Sequence, residues 1–228
     1  MPFSQATIDF LFENRMRNDR EWFHAHKDRY TELVLAPLCE LVTALEPAIH
    51  AIDPLLICEP KVSRSISRIY RDTRFSKDKS LYRDVMWASF DRKRDLLHHP
   101  LPGFFFEISP DGYRYGCGYY EASREVMALL RDRAVARDRR FTEAEKAYRA
   151  QKVFQLEGEC YKRPRFPDQP AEIREWVERK TLCFLHNGTD RELLFSDRLA
   201  GVLARDLALL KPVYDFLIGC ELDLGKEM

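Results

Sequence analysis

The stretch Phe104-Phe105-Phe106-Glu107-Ile108-Ser109-Pro110-Asp111-Gly112-Tyr113-Arg114-Tyr115-Gly116-Cys117-Gly118-Tyr119 reads as a β-hairpin. Aromatic residues fill both arms and suit a pleated, half-buried surface. Between the arms, Pro110-Asp111-Gly112 is a turn signal, because glycine takes positive φ after aspartate without steric penalty. A further strand-like run, Met86–Phe90, precedes it. Lys61 to Tyr70 also suits a strand, with Val62, Ile66 and Tyr70 on one face and Ser63, Ser65 and Ser67 on the other.

The residues before these strands are helical in pattern. Ser4 suits an N-cap, with Phe3 and Ile8 at hydrophobic-staple spacing, and the helix runs to about Arg17. Asn18 or Asp19 caps a second helix, in which Trp22, Phe23, His26, Tyr30, Leu33 and Val34 recur every three or four residues. Pro37 interrupts or restarts it, and Leu38, Leu41, Val42 and Leu45 carry the apolar face to Glu46-Pro47. After the strands, Ser123 opens a helix running through Arg131–Arg140, and Thr142-x-x-Glu145 is a capping box for another. Leu156–Tyr161 and Thr181–His186 suit short strands, Asn187-Gly188 a turn, and Ser196 caps the final helices. Helices, then strands, then helices predict an α+β fold. The expectation is one domain over residues 1–228, with a mainly antiparallel or mixed sheet, a helical N-terminal layer and further helices in the C-terminal half.

Charge narrows the function classes. The chain holds 37 Lys/Arg and 37 Asp/Glu, so its overall field does not drive binding to nucleic acid or acidic membranes. Any such contact must come from a patch. The six cysteines, at 39, 58, 117, 160, 183 and 220, form no Cys-x-x-Cys and read as thiols of a reducing compartment. The start Met-Pro-Phe-Ser-Gln lacks signal-peptide character, and no apolar run is read as approaching the ~20 residues of a membrane span. A cytoplasmic protein without membrane association is expected.

The patch lies at Arg68-Ile69-Tyr70-Arg71-Asp72-Thr73-Arg74-Phe75-Ser76-Lys77-Asp78-Lys79-Ser80-Leu81-Tyr82-Arg83. From Lys61 to Asp84, eight Lys/Arg face three Asp, a local surplus of five positive charges. Arginine offers a planar fork that matches phosphate or carboxylate, and lysine adds point charges. Arg68, Arg71, Arg74, Lys77 and Lys79 are the candidate anion ligands, with Asp72 and Asp78 orienting them. The aspartates also permit the opposite reading, a loop closed on itself by ion pairs. Tyr70, Phe75 and Tyr82 supply the aromatics that nucleic-acid binding requires, and Phe75 equally suits an anchor against the core. Tyr161-Lys162-Arg163-Pro164-Arg165 either extends the patch or is a solvated connection.

Other chemistry is poorly supplied. His24 and His26 are two residues apart and face different sides of a helix, and His98-His99 precede Pro100, so no metal site is read. No phosphate-cradling glycine loop occurs and no cofactor is implied. Gly116 and Gly118 mark a bulge or a close backbone approach, and would let the charged loop pack closely if it crosses there.

With these residues in view, the chain resembles the family called domain of unknown function two-four-six-one. Arg68-Ile69-Tyr70-Arg71-Asp72-Thr73-Arg74-Phe75-Ser76-Lys77-Asp78-Lys79-Ser80 is similar to its signature almost letter for letter. Asn18-Asp19-Arg20-Glu21-Trp22-Phe23, Gly116-Cys117-Gly118-Tyr119-Tyr120, Lys162-Arg163-Pro164 and Lys180-Thr181 resemble other family positions. The sequence departs at Leu81, where the family usually has proline, at Cys117 within a glycine triplet, and at Gln169 in place of a histidine. The resemblance implies a single α+β domain and imports no activity.

Three functions fit these residues. The first is binding of an anionic, phosphate-bearing small molecule or nucleic acid through the Arg68–Arg83 loop. The second is an enzyme acting on a phosphorylated or carboxylated substrate with Asp72 or Glu107 as base. The third is a scaffold in which the charged loop is internal structure.

Overall fold

In the computed structural model, which describes residues 3–74, 77–93 and 100–227, Ser4 opens α1 (Gln5–Arg17) from extended backbone angles. Its N–H donates to Thr7 Oγ1 at 3.1 Å, one arm of a capping box, with Phe3 and Ile8 both buried alongside. The helix ends at Asn18, whose φ of 47° is a left-handed cap that asparagine tolerates better than most residues. Asp19 then caps α2 (Arg20–Ala25), accepting from Trp22 N at 2.7 Å.

Beyond it, α3 (Lys27–Tyr30), a π-turn at Thr31–Leu35 and α4 (Ala36–Ile52) make one helical run. Pro37 therefore does not break the helix. A proline lacks the N–H that would bond the carbonyl four residues back, and Leu33 O accepts instead from Thr7 Oγ1 at 2.7 Å. The wider π-turn makes room for the ring. Pro47 is also interior to α4, not at its end, and both it and Thr43, whose carbonyl a non-proline residue there would bond, are exposed. By length and composition this run could cross a membrane; Val34, Leu38, Val42 and Leu45 are instead fully buried within the protein.

Five strands, β1 (Met86–Phe90), β2 (Gly103–Ser109), β3 (Gly112–Gly118), β4 (Gln155–Glu157) and β5 (Cys183–Gly188), form an antiparallel sheet in the order β1-β2-β3-β5-β4. The turn expected at Pro110-Asp111 is present, tied by Ser109 Oγ to Gly112 O and Asp111 N, both at 3.2 Å. Along β3, Gly116 abuts Phe184 O and Gly118 abuts Leu182 O, a step of two forward answered by two backward. The close approach expected at these glycines is thus made by β5.

Lys61–Tyr70 is not a regular strand. Ser63 takes φ 66°, and Ser65 Oγ bonds Glu59 N at 3.0 Å and Ile57 O at 3.1 Å. Serine side chains here compete with a ladder, leaving single bridges such as Ile66 to Ala88. Asn187-Gly188 ends β5 and is not a turn.

The remaining helices are α5 (Arg124–Val135), α6 (Arg139–Ala150), α7 (Ala171–Val177), α8 (Arg191–Leu194), α9 (Leu199–Ala208) and α10 (Lys211–Glu227). Ser123 caps α5 as expected, through Val126 N at 3.1 Å. The helix stops before Arg137 (φ 51°), and Asp138, not Thr142, caps α6 through Arg140 N at 2.8 Å.

The chain forms two compact units. Unit one comprises Met1–Phe90, Phe105–Tyr115 and Asn187–Ala204; unit two comprises Asp91–Phe104, Gly116–His186 and Arg205–Met228. In unit one the apolar sides of α1 and α4 bury Phe10, Leu11, Leu38, Val42 and Leu45. In unit two α6 and α10 pack together, and Trp176 of α7 lies among Phe141, Phe184 and Phe216.

Candidate anion-binding hairpin

Within unit one, the basic stretch is a hairpin of its own. Tyr70 and Tyr82 form an antiparallel bridge, with Arg71 N donating to Leu81 O at 3.0 Å and Arg83 N to Ile69 O at 2.7 Å. Side chains at this neck fix it to the helical layer. Ile69 and Tyr82 are buried, and the Tyr82 ring stacks on Phe23 at 4.6 Å, with Tyr70 5.6 Å from the same ring. Phe75, weighed as an anchor, and Ser76 lie outside the described residues, as do His98 and His99.

A long-range bond also holds the hairpin. Asn18 Oδ1 accepts from Leu81 N at 2.7 Å, so the left-handed cap of α1 aims its amide at the hairpin. Asn18→Ala loses this bond and strains the positive φ, at a cost of about 2 kcal/mol. Asn18→Gly relieves the φ and loses only the bond, about 1 kcal/mol. Urea unfolding of the two variants separates the contributions; equal costs would mean that the backbone conformation contributes nothing.

Above the neck the aspartates take up two of the arginines. Asp72 accepts from Arg74 Nε at 3.0 Å and Nη2 at 2.7 Å, and its Oδ1 also takes Arg74 N at 3.2 Å. Asp78 bonds Ser80 N at 2.9 Å and pairs with Arg71 at 3.0 Å. Lys79 Nζ donates to Thr73 O at 2.8 Å. The structure therefore joins Arg71 with Asp78 and Arg74 with Asp72. Arg68 and Lys77 are exposed, and among the described residues neither forms an ion pair.

Arg74's side-chain and backbone hydrogen bonds, aided by its charge and that of Arg68, hold the Asp72 carboxyl down at about 2. A depressed carboxyl keeps its pairing above the ordinary value of 3.8 and loses it as pH falls through the folded value. The Asp72–Arg74 clasp thus persists at pH 4 and opens toward pH 2. Carboxyl-carbon NMR of Asp72 should give a midpoint near 2; a midpoint near 3.8 would show that the pair does not form in solution. The backbone N–H and hydroxyl of Ser80, with Arg71, lower Asp78 as well.

Glu107, the other carboxylate weighed as a base, is held across the β2–β3 hairpin by Arg114 at 2.6 Å. His26 stacks on Trp22 at 4.4 Å and bonds its carbonyl. Among the described residues no group of three His, Cys, Asp or Glu could hold a metal. Burial raises the Cys220 thiol to about 11 and Cys117 well above its usual value, which suppresses both as nucleophiles. Two larger concavities occur, of about 450 Å³ at Arg133, Arg140 and Asp223 and about 310 Å³ at Phe3, Leu41 and Leu199; neither Asp72 nor Glu107 lines them.

Sequence reasoning named the charged residues but missed Asn18 as a docking residue. Its signal was an asparagine just past a helix end, where the side chain is free to reach elsewhere. No curated protein and no solved structure matches the chain. A family model described as conserved hypothetical protein (DUF2461) matches residues 6–216, which takes in the hairpin, its neck and Asn18. The chain belongs to the DUF2461 family.

Proposed function

We propose that the Arg68–Arg83 hairpin of this protein, which we read as cytoplasmic, binds a phosphate-bearing anion. One observation carries the reading. Asp72 is bonded by Arg74 and Asp78 pairs with Arg71, while among the described residues Arg68, Lys77 and Lys79 form no ion pair, Arg68 acting on Asp72 only through its charge. The ion pairs hold the loop, and the remaining cations supply the attraction. Because those cations are exposed, the attraction is screened by salt.

Calorimetric titration with inorganic pyrophosphate tests this. The wild type should bind, and Arg68→Ala/Lys77→Ala should weaken binding at least ~10-fold, as loss of two charge-assisted contacts requires. Neither side chain is in an ion pair, so stability should stay within about 0.5 kcal/mol. Unchanged affinity in the double variant would sink the proposal. The Arg–Asp pairs also favour a second reading, in which the hairpin is internal structure for a scaffold protein. In that case pyrophosphate does not bind, and Arg71→Ala/Arg74→Ala loosens the hairpin without any ligand effect. The enzyme reading loses support from Asp72, since a carboxyl held at about 2 is a weak base.

A further inference from the structure

Unit two carries a second cationic surface, on the segment that joins β4 to α7. Cys160–Pro170 is an irregular strap outside helix and strand that bends at Lys162, Arg163 and Arg165, with prolines at 164, 167 and 170 fixing its φ angles. Glu178 anchors it at three points: Tyr161 N donates to Glu178 O at 2.9 Å, and the Glu178 carboxylate accepts from Arg165 N and Phe166 N at 2.8 to 3.0 Å, while Cys160 bridges Arg179. The Glu178 carboxylate is thus held by backbone N–H groups.

Over the strap, the Tyr161 ring stands between two guanidinium groups, Arg165 at 3.8 Å and Arg131 at 5.3 Å from its centroid. Arg131 is held by neutral acceptors: Val177 O at 3.0 Å, Arg179 O at 2.8 Å and Tyr161 Oη at 2.9 Å. Lys162, Arg163, Arg165 and Arg174 are exposed. Among the described residues, neither these four nor Arg131 forms an ion pair. Neighbouring acids are engaged elsewhere: Glu159 with Lys180, Glu172 with Arg137 and Glu175 with Arg149. Five cations thus lie on and beside the strap, against two carboxylates, Asp168 within it and Glu178, whose charge acts on Arg131 and Arg174.

We propose that this face binds single-stranded nucleic acid. The strap cations follow one another along a single segment, Tyr161 to Arg165, which spans at most about 13 Å, and the cavity beneath Arg131, about 10 Å³, has no room for a small-molecule ligand. A row of cations follows a phosphate backbone, and the outer face of the Arg165 guanidinium, already stacked on Tyr161, offers a plane for a base. The inference stands apart from the hairpin proposal and uses none of its residues.

Fluorescence anisotropy of the full chain with a labelled single strand of about twelve nucleotides tests it. The wild type should bind at about 50 mM salt and weaken steeply by about 200 mM. Lys162→Gln/Arg163→Gln should lower affinity at least ~10-fold and flatten the log–log salt slope by about 1.4, at ~0.7 for each phosphate no longer neutralised. These side chains are exposed and unpaired, so melting should not move, and Arg165→Gln should weaken binding independently. The hairpin variant Arg68→Ala/Lys77→Ala should leave oligonucleotide affinity unchanged. The proposal fails if the wild type does not bind at about 50 mM salt. It also fails if the strap variants bind as tightly as wild type, or if only the hairpin variant loses affinity.

Discussion

Gly116→Ala should lower the unfolding free energy by about 3 kcal/mol, measured as a shifted midpoint in urea. A Cβ at this position would fall far inside van der Waals contact distance of Phe184 O, with the Phe184 carbonyl carbon at 3.0 Å and Leu185 Cα at 3.2 Å. These are backbone atoms, so no side chain can swing aside. β5 must move away from β3, and Phe184, which is fully buried against Trp176, must move with it. Interiors packed to crystal density resist such displacements. Gly201, where nothing lies within 4 Å of an added Cβ, is the control. Gly201→Ala should be neutral or slightly stabilising, because it lies inside α9 and alanine is the better helix former. Equal effects at the two sites would show that β3 and β5 are not this close.

Trp176→Ala should cost about 4 kcal/mol. The indole is almost fully buried, and four rings surround it: Phe184 at 5.0 Å, Phe141 at 5.3 Å, Tyr148 at 5.9 Å and Phe216 at 6.1 Å. Alanine would leave a cavity bounded by α6, α10 and β5, elements too well packed to collapse into it. Trp176→Phe should cost far less, about 1 kcal/mol, for two reasons. The ring packing largely survives, and among the described residues Trp176 Nε1 is a buried donor without a hydrogen-bond partner, so its removal relieves a desolvation penalty. Similar costs for the two variants would mean that Nε1 is bonded in solution.

The parts legible in the sequence are those set by neighbours along the chain. The hairpin at Pro110-Asp111-Gly112 follows from local turn chemistry, and the caps at Ser4, Asp19 and Ser123 from single side chains reaching the next turn. The helical run through Pro37 was not legible, because the group that satisfies Leu33 O is Thr7, 26 residues earlier. Lys61–Tyr70 misled for a related reason: its serines look like the outer face of a strand, yet Ser65 and Ser67 are buried and bond backbone and Met86. For the hairpin, the sequence showed the charges and both uses of the aspartates. It could not show which arginine each would take, since Arg71 pairs seven residues away with Asp78 while Arg74 pairs two residues back. Nor could it show Asn18 meeting Leu81 across 63 residues.

The central claim is that a loop closed by two Arg–Asp pairs still presents cations to an anion. Amide NMR of the isotope-labelled protein during addition of inorganic pyrophosphate tests it most directly. Saturable shifts concentrated at residues 68–74 and 77–81, and absent in Arg68→Ala/Lys77→Ala, are the predicted result. Unshifted hairpin amides, or saturable shifts confined to residues outside it, would contradict the account and leave the Arg–Asp pairs as internal structure.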